Sequence, residues 1–195
     1  VLYINAERIN SFQHYLTNSA AIPNSAIIEF ANTGGNIFGR INHVVRNEGF
    51  DYIPPFNMAL ASIGLEFSIY CELVKAAKAT KKYDVIVVDT DTTFDKEKAE
   101  LITIADKVII IVEQTNNSIC ATNTLLKNIS CTDSDKYFFI CNNFNENEVN
   151  ALLSEHNQHM FIVNEYIRHF DNFDSMTILD LAKQPDIQKI SYLVI

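Results

Sequence analysis

Apolar residues come in blocks along this chain, and the blocks alternate between two periods. Val1–Ile4, Phe50–Ile53, Val85–Val88, Val108–Val112, Tyr137–Cys141 and Met160–Val163 are short runs with little polar interruption. Their length and β-branched or aromatic content predict strands. Between them, Ile37, Ile41, Val44 and Val45 have helical spacing, and Leu60, Ile63, Phe67, Tyr70, Val74 and Ala77 recur at three- and four-residue steps. The second set predicts a long helix over 59–80. Further helices are expected over Asp95–Ala105, after a Ser118 cap, at Val149–Leu153, and over Ser175–Ala182 and Ile187–Leu193. Ile27, Ile28 and Phe30 fit helix or strand. Strands alternating with helices predict an α/β chain, a doubly wound and mostly parallel sheet in a single domain over residues 1–195.

The chain is organised around Tyr83–Asp89. Val85 to Val88 are apolar without a break, which predicts an interior parallel strand beside Val108–Val112. Asp89 closes the run, and ligands of such sheets bind outside the carboxyl ends of the strands. A carboxylate there can hold Mg²⁺ or its waters beside a triphosphate. An Asp that merely caps the next helix gives the same local pattern. Polar residues collect at the other strand ends as well: Asn5 and Glu7, Asp91, Glu113, Asn142 and Asn143, and Asn164. Strands end in polar turns anyway, which accounts for part of this set.

Composition narrows the function classes. The 195 residues carry a formal charge of −9, with a pI near 4.9. No basic field is available for direct binding to nucleic acid or to an anionic membrane. No apolar run approaches the roughly 20 residues of a membrane span. The tail, DIQKISYLVI, has the single cation Lys189, too few for a surface-lying amphipathic helix, so Ile190, Leu193 and Ile195 are expected to pack on the domain. Cys71, Cys120, Cys131 and Cys141 lie far apart without a C-x-x-C pair, as reduced thiols of a cytoplasmic protein do. His156 and His159 could share a helix face and a metal, but they fall in a polar, loop-like run with no Cys nearby. Gly34 to Ile41 matches G-x-x-x-x-G and then has Arg40 and Ile41 where a phosphate loop needs Lys and Ser/Thr. It reads as a glycine-bearing turn.

Three segments in order resemble one family. VLYINAE resembles the strand after the phosphate loop in the ParA/MinD group of P-loop ATPases, usually VLLIDAD. YDVIVVDTDTTFD resembles their YDYIIIDTPPGL, and FFICNNFNEN resembles the adenine-side strand that ends in Asn. The spacing within VIIIVEQTNNSICATNTLLKNI is also similar to the family's. The INAE start and the FDYIPPF stretch resemble the TadZ and CpaE branch, the pilus-assembly localisation ATPases.

The resemblance implies a P-loop NTPase-like fold with ATP and Mg²⁺ as ligands. It implies that Asp89 is the Walker B acid near the metal, with Thr90 and Asp91 in the switch loop behind it. Asn5 matches the acid that helps position the attacking water, and Asn142 matches the Asn that hydrogen-bonds adenine. Glu7, Asn143 and Asn164 stand with it as nucleotide contacts, and the Asn164–Arg168 turn would flank the base. The family's Walker A loop, KGGVGKT, and its strand would precede Val1. Since the sequence opens without Met inside a strand, either a longer protein starts upstream or the chain is a degenerate ATPase used as a scaffold. Asn5 cannot act as a carboxylate, so hydrolysis is expected to be slow or absent. The implied partners are a second copy, forming a homodimer, and proteins of a pilus or secretion assembly. A second stripe of the 59–80 helix, Leu65, Ile69 and Leu73, is a candidate for that self-association, unless the helix is buried on both sides.

Overall fold

The computed structural model describes residues 1–8, 21–23, 25, 28–29, 32, 34–56, 58–129, 135–153 and 160–194. Contacts divide the chain into two compact units, Val1–Leu101 and Ile102–Ile195. Each has its own sheet.

In the first unit Leu2–Asn5 (β1) is flanked by two parallel strands, Asp51–Ile53 (β3) and Ile86–Asp89 (β4). The two-residue strand Arg46–Asn47 (β2) runs antiparallel to β3, giving the order β2-β3-β1-β4. Leu2 and Ile4 are fully buried on one face of the central strand. Strand side chains alternate, so Tyr3 and Asn5 share the opposite face. Pro54 and Pro55 follow β3, and Pro cannot donate to a ladder. Ile37–Ile41 (α1) starts at Asn36, whose side chain accepts from Gly39 N. Gly34 and Gly35 precede it with φ of 63° and 99°, the left-handed backbone glycine tolerates best. The G-x-x-x-x-G segment is therefore a turn with a capped short helix.

The long helix expected over 59–80 is two pieces. Leu60–Ile63 is a 3-10 turn that stops at Gly64, which has φ of 72°, and the α-helix is Ser68–Ala79 (α2). A left-handed glycine is a common helix terminator. Both stripes of α2 face inward: Ile69 is 5% exposed and Leu73 is 1%. Of the two alternatives for this stripe, a face left for a partner or burial on both sides, Ile69 and Leu73 take the second. Helix Lys96–Ile104 (α3) follows, with Asp95 Oδ1 accepting from Lys98 N at 2.9 Å.

The second unit holds three parallel strands, Val108–Val112 (β5), Tyr137–Phe144 (β6) and Glu165–Arg168 (β7), in the order β5-β6-β7. Asn116–Leu126 (α4) packs over them, and its Ile119 and Leu126 join Val112, Phe139, Cys141 and Phe161 in one apolar cluster. Phe139 stacks on Phe161 with centroids 4.8 Å apart. Ile178–Ala182 (α5) opens with a Thr177–Asp180 capping box. Pro185–Val194 (α6) lies against β7 with Ile190 and Leu193 half-buried, as expected for the tail.

Several boundaries differ from expectation. β4 and β5 are not hydrogen-bonded neighbours: β4 ends the first sheet and β5 ends the second. Val87 is accordingly 43% exposed and Ile111 55%. A β-branched run favours a pleated, packed environment but does not choose its neighbour. The last strand is Glu165–Arg168 and not Met160–Val163. Asn164 fixes this by bonding Phe139 twice, from N to O at 2.8 Å and through Oδ1 to N at 2.7 Å. Thr115, not Ser118, caps α4; Ser118 Oγ accepts from Glu113 N at 2.8 Å instead. β6 does not stop at Asn142 but continues to Phe144 across an irregularity between Cys141 and Phe144. Ile27, Phe30, His156, His159, Cys131 and Ile195 lie outside the described residues.

Candidate functional site at the carboxyl ends of the strands

The first unit gathers Asn5, Glu7, Asp89 and Asp91 beyond β1 and β4. Asn5 and Asp89 are register partners across the parallel pair. The Tyr3 hydroxyl reaches along that face and donates to Asp89 Oδ2 at 2.8 Å. Burial, then the charge of Asp89, push the Tyr3 phenol far above its usual range, so it remains a donor. Asn5 is 7% exposed. Its Nδ2 donates to Glu7 Oε2 at 3.1 Å, and its Oδ1 accepts from Glu7 N at 3.1 Å. The amide thus closes a small Asx turn on the residue two places ahead.

Asp91 is the most heavily bonded group here. Its Oδ2 accepts from Arg8 N at 3.0 Å and its Oδ1 from Thr93 N at 3.0 Å. The Arg8 guanidinium donates to both oxygens, at 2.9 and 3.1 Å, and also bonds Asp95. Lys98 Nζ donates to Asp91 O at 2.8 Å and Oδ1 at 3.3 Å. Arg8 and Lys98 stand 4.8 and 5.0 Å from the centroid of the Phe67 ring, within cation–π range. Burial works against ionisation of Asp91, but the two backbone donors and Lys98 outweigh it and hold the carboxyl at about 2. Lys98 is 5% exposed, and burial lowers it below the ordinary lysine range while Asp91 opposes the shift. The partners shift in opposite senses because Asp91 has donors beyond Lys98, whereas the ammonium loses more hydration.

Among the described residues no three His, Cys, Asp or Glu side chains gather into a metal cage. Mg²⁺ beside phosphates needs only one or two carboxylates, with water and phosphate oxygens completing its shell. Asp89 fits that requirement: it is exposed and takes one bond from Tyr3, and a carboxylate has about four lone-pair positions. It would hold Mg²⁺, whose charge would offset that on a triphosphate.

In the second unit, Asn142 and Asn143 are exposed at the end of β6. Asn143 has a φ of 57°, and its Oδ1 bonds His169 Nδ1. The irregular pairing at this point turns the side chains away from the regular alternation. Asn164 Oδ1 is committed to the Phe139 amide. The periodicity did not single out Gln114. It is 5% exposed, with Oε1 accepting from Asn145 N at 2.8 Å and Nε2 donating to Asn145 O at 3.1 Å. Gln114 therefore fastens the segment after β6, and its position after an apolar strand was the available signal. Arg8 and Lys98 gave no comparable signal, because Arg8 meets its partners 83 and 87 residues away. Burial raises the thiols of Cys71 and Cys141 to about 11, so neither is a ready nucleophile at neutral pH.

Solved structures share this arrangement of strands and helices. A chain of the Aquifex aeolicus MinC:MinD cell division protein complex matches with a TM-score of 0.69 at 18% identity, over 98% of this chain and 80% of the other. A ParA family ATPase from Chlorobium tepidum matches with a TM-score of 0.70 at 16% identity, over 99% and 85%. The chain has the fold of the MinD and ParA ATPases. A plasmid partition protein of Borrelia burgdorferi, bound to AMPPNP, matches with a TM-score of 0.59 at 16% identity, over 99% and 83%. No protein-family model and no curated protein matches the sequence. In this MinD/ParA-like fold, Asp89 and Asn5 occupy adjacent strand ends, where an open α/β sheet keeps its ligand. No helix among the described residues is long and apolar enough to cross a membrane.

Proposed function

We propose that this protein is a ParA/MinD-like ATP-binding localisation or assembly protein of the TadZ/CpaE kind. It would act as a homodimer in a pilus or secretion machinery, with slow or no ATP hydrolysis. One observation carries the reading: Asn5 lies opposite Asp89 and spends its amide on Glu7. Asp89 keeps capacity for Mg²⁺, while the neighbouring strand end offers an amide that cannot act as a carboxylate base. Positioning and charge stabilisation make up most of phosphoryl-transfer catalysis, so binding without brisk turnover is the expected behaviour. Asn142, Asn143 and Asn164 are the proposed contacts for the base.

Calorimetric titration with Mg²⁺-ATP and a steady-state phosphate-release assay on the same sample test this. The reading expects measurable binding that Asp89→Ala weakens at least tenfold, with turnover well below one per minute. Robust turnover abolished by Asp89→Ala would overturn it. A pseudo-ATPase scaffold is the second reading, favoured by the saturation of Asp91 with internal donors. It predicts no heat of nucleotide binding.

A further inference from the structure

We propose that Arg8 and Lys98 form a built-in cationic clamp that fixes the loop after β4 by occupying the Asp91 carboxylate, without metal or nucleotide. The clamp draws on three parts of the first unit. Arg8 follows β1, Asp91 follows β4, and Lys98 projects from α3. The Arg8 guanidinium spans Asp91 and Asp95, so it ties both ends of the Asp91–Asp95 segment. Lys98 closes the loop from beneath, with Nζ on both the Asp91 carbonyl and its carboxylate. Phe67, which immediately precedes α2, gives both cations an aromatic wall.

The clamp consumes the ligand capacity of Asp91. Both oxygens accept from Arg8, and Oδ1 also takes Thr93 N and Lys98 Nζ. A divalent ion binding there would have to displace two cations, one of them nearly buried. Asp89, whose side chain accepts from the neutral Tyr3 phenol, has no such cationic competitor among the described residues. The two acids at this strand end therefore have different tasks: Asp89 faces ligand, and Asp91 is the anchor of the loop. This deepens the reading of a slow or silent nucleotide site and rests on that reading only for the ligand at Asp89.

The amides of Arg8 and Thr93 donate directly to Asp91, so their hydrogen exchange reports the clamp. In the unmodified protein both should be protected without ligand, and Mg²⁺-ATP should change their exchange less than twofold. Arg8→Ala should speed Thr93 exchange at least tenfold while amides in β1 and α2 change less than threefold. Arg8→Lys, which keeps the charge but loses the two-pronged geometry, should fall between. If Arg8→Ala does not fold, Arg8→Lys and Lys98→Met provide the same comparison. Unchanged Thr93 exchange in folded variants, or protection that appears only with Mg²⁺-ATP, would overturn the clamp. Because the clamp is read without nucleotide, failure to bind ATP would count against the proposed function and leave this result standing.

Discussion

Asp91 couples the charge state of the site to the stability of the first unit. Its folded-state value of about 2 lies below the ordinary 3.8. A depressed carboxylate stabilises the fold at pH above its unfolded value, and that contribution disappears as pH falls through the folded value. Stability should therefore drop between about pH 4 and pH 2, with roughly 2 kcal/mol traceable to this one group. Urea melts across that range check it: Asp91→Asn should flatten the slope. At neutral pH the same variant should lose about 3 kcal/mol, because it leaves the Lys98 ammonium buried without its counter-charge. An equal acid slope in Asp91→Asn would assign the loss to other carboxylates.

Among the elements, α2 is decided by packing. Its amphipathic repeat is legible in the sequence, yet the same residues gave two stripes, and only the fold shows both to be internal. Ile69, Tyr70, Leu73, Val74 and Ala77 are all buried. Ile69→Ala should then cost about 2–5 kcal/mol, as large-to-small core changes do. Thermal unfolding measures it. A change below 1 kcal/mol that also altered the oligomeric state would return this stripe to a partner. The N-terminal limit of α2 was not legible, because one glycine can be tolerated in a helical pattern or can end it. Gly64 takes the left-handed conformation and ends the preceding turn.

For the whole molecule, the sheet edges matter most. β4 and β5 are apolar and β-branched, and among the described residues each pairs on one side only. Such edges template association unless charge or a bulge blunts them. The protein should self-associate without nucleotide, and Val87→Lys or Ile111→Lys should reduce this. Sedimentation at several concentrations tests the expectation, and a monomer at all concentrations would refute it. The charge of −9 opposes nucleic-acid binding at this same scale, since no excess of cations is present to release counterions from phosphate.

The sequence alone determined the class of this protein. Short unbroken apolar runs alternating with helically spaced stretches specify α/β, because strands buried on both faces and amphipathic helices need different apolar patterns. Apolar runs ending in Asn5 and Asp89 placed those residues at strand ends, because local chemistry sets where a strand meets a polar turn, whereas β6 runs on past Asn142 to Phe144. Tertiary structure alone decided what those residues contact. Register put Asn5 opposite Asp89 and brought Tyr3 to the carboxylate. Loop closure over more than 80 residues brought Arg8 to Asp91 and Asp95. β4 and β5 belong to separate sheets. These outcomes depend on contacts between distant segments, and a local pattern of polar and apolar positions carries no information about which distant segment will be the partner.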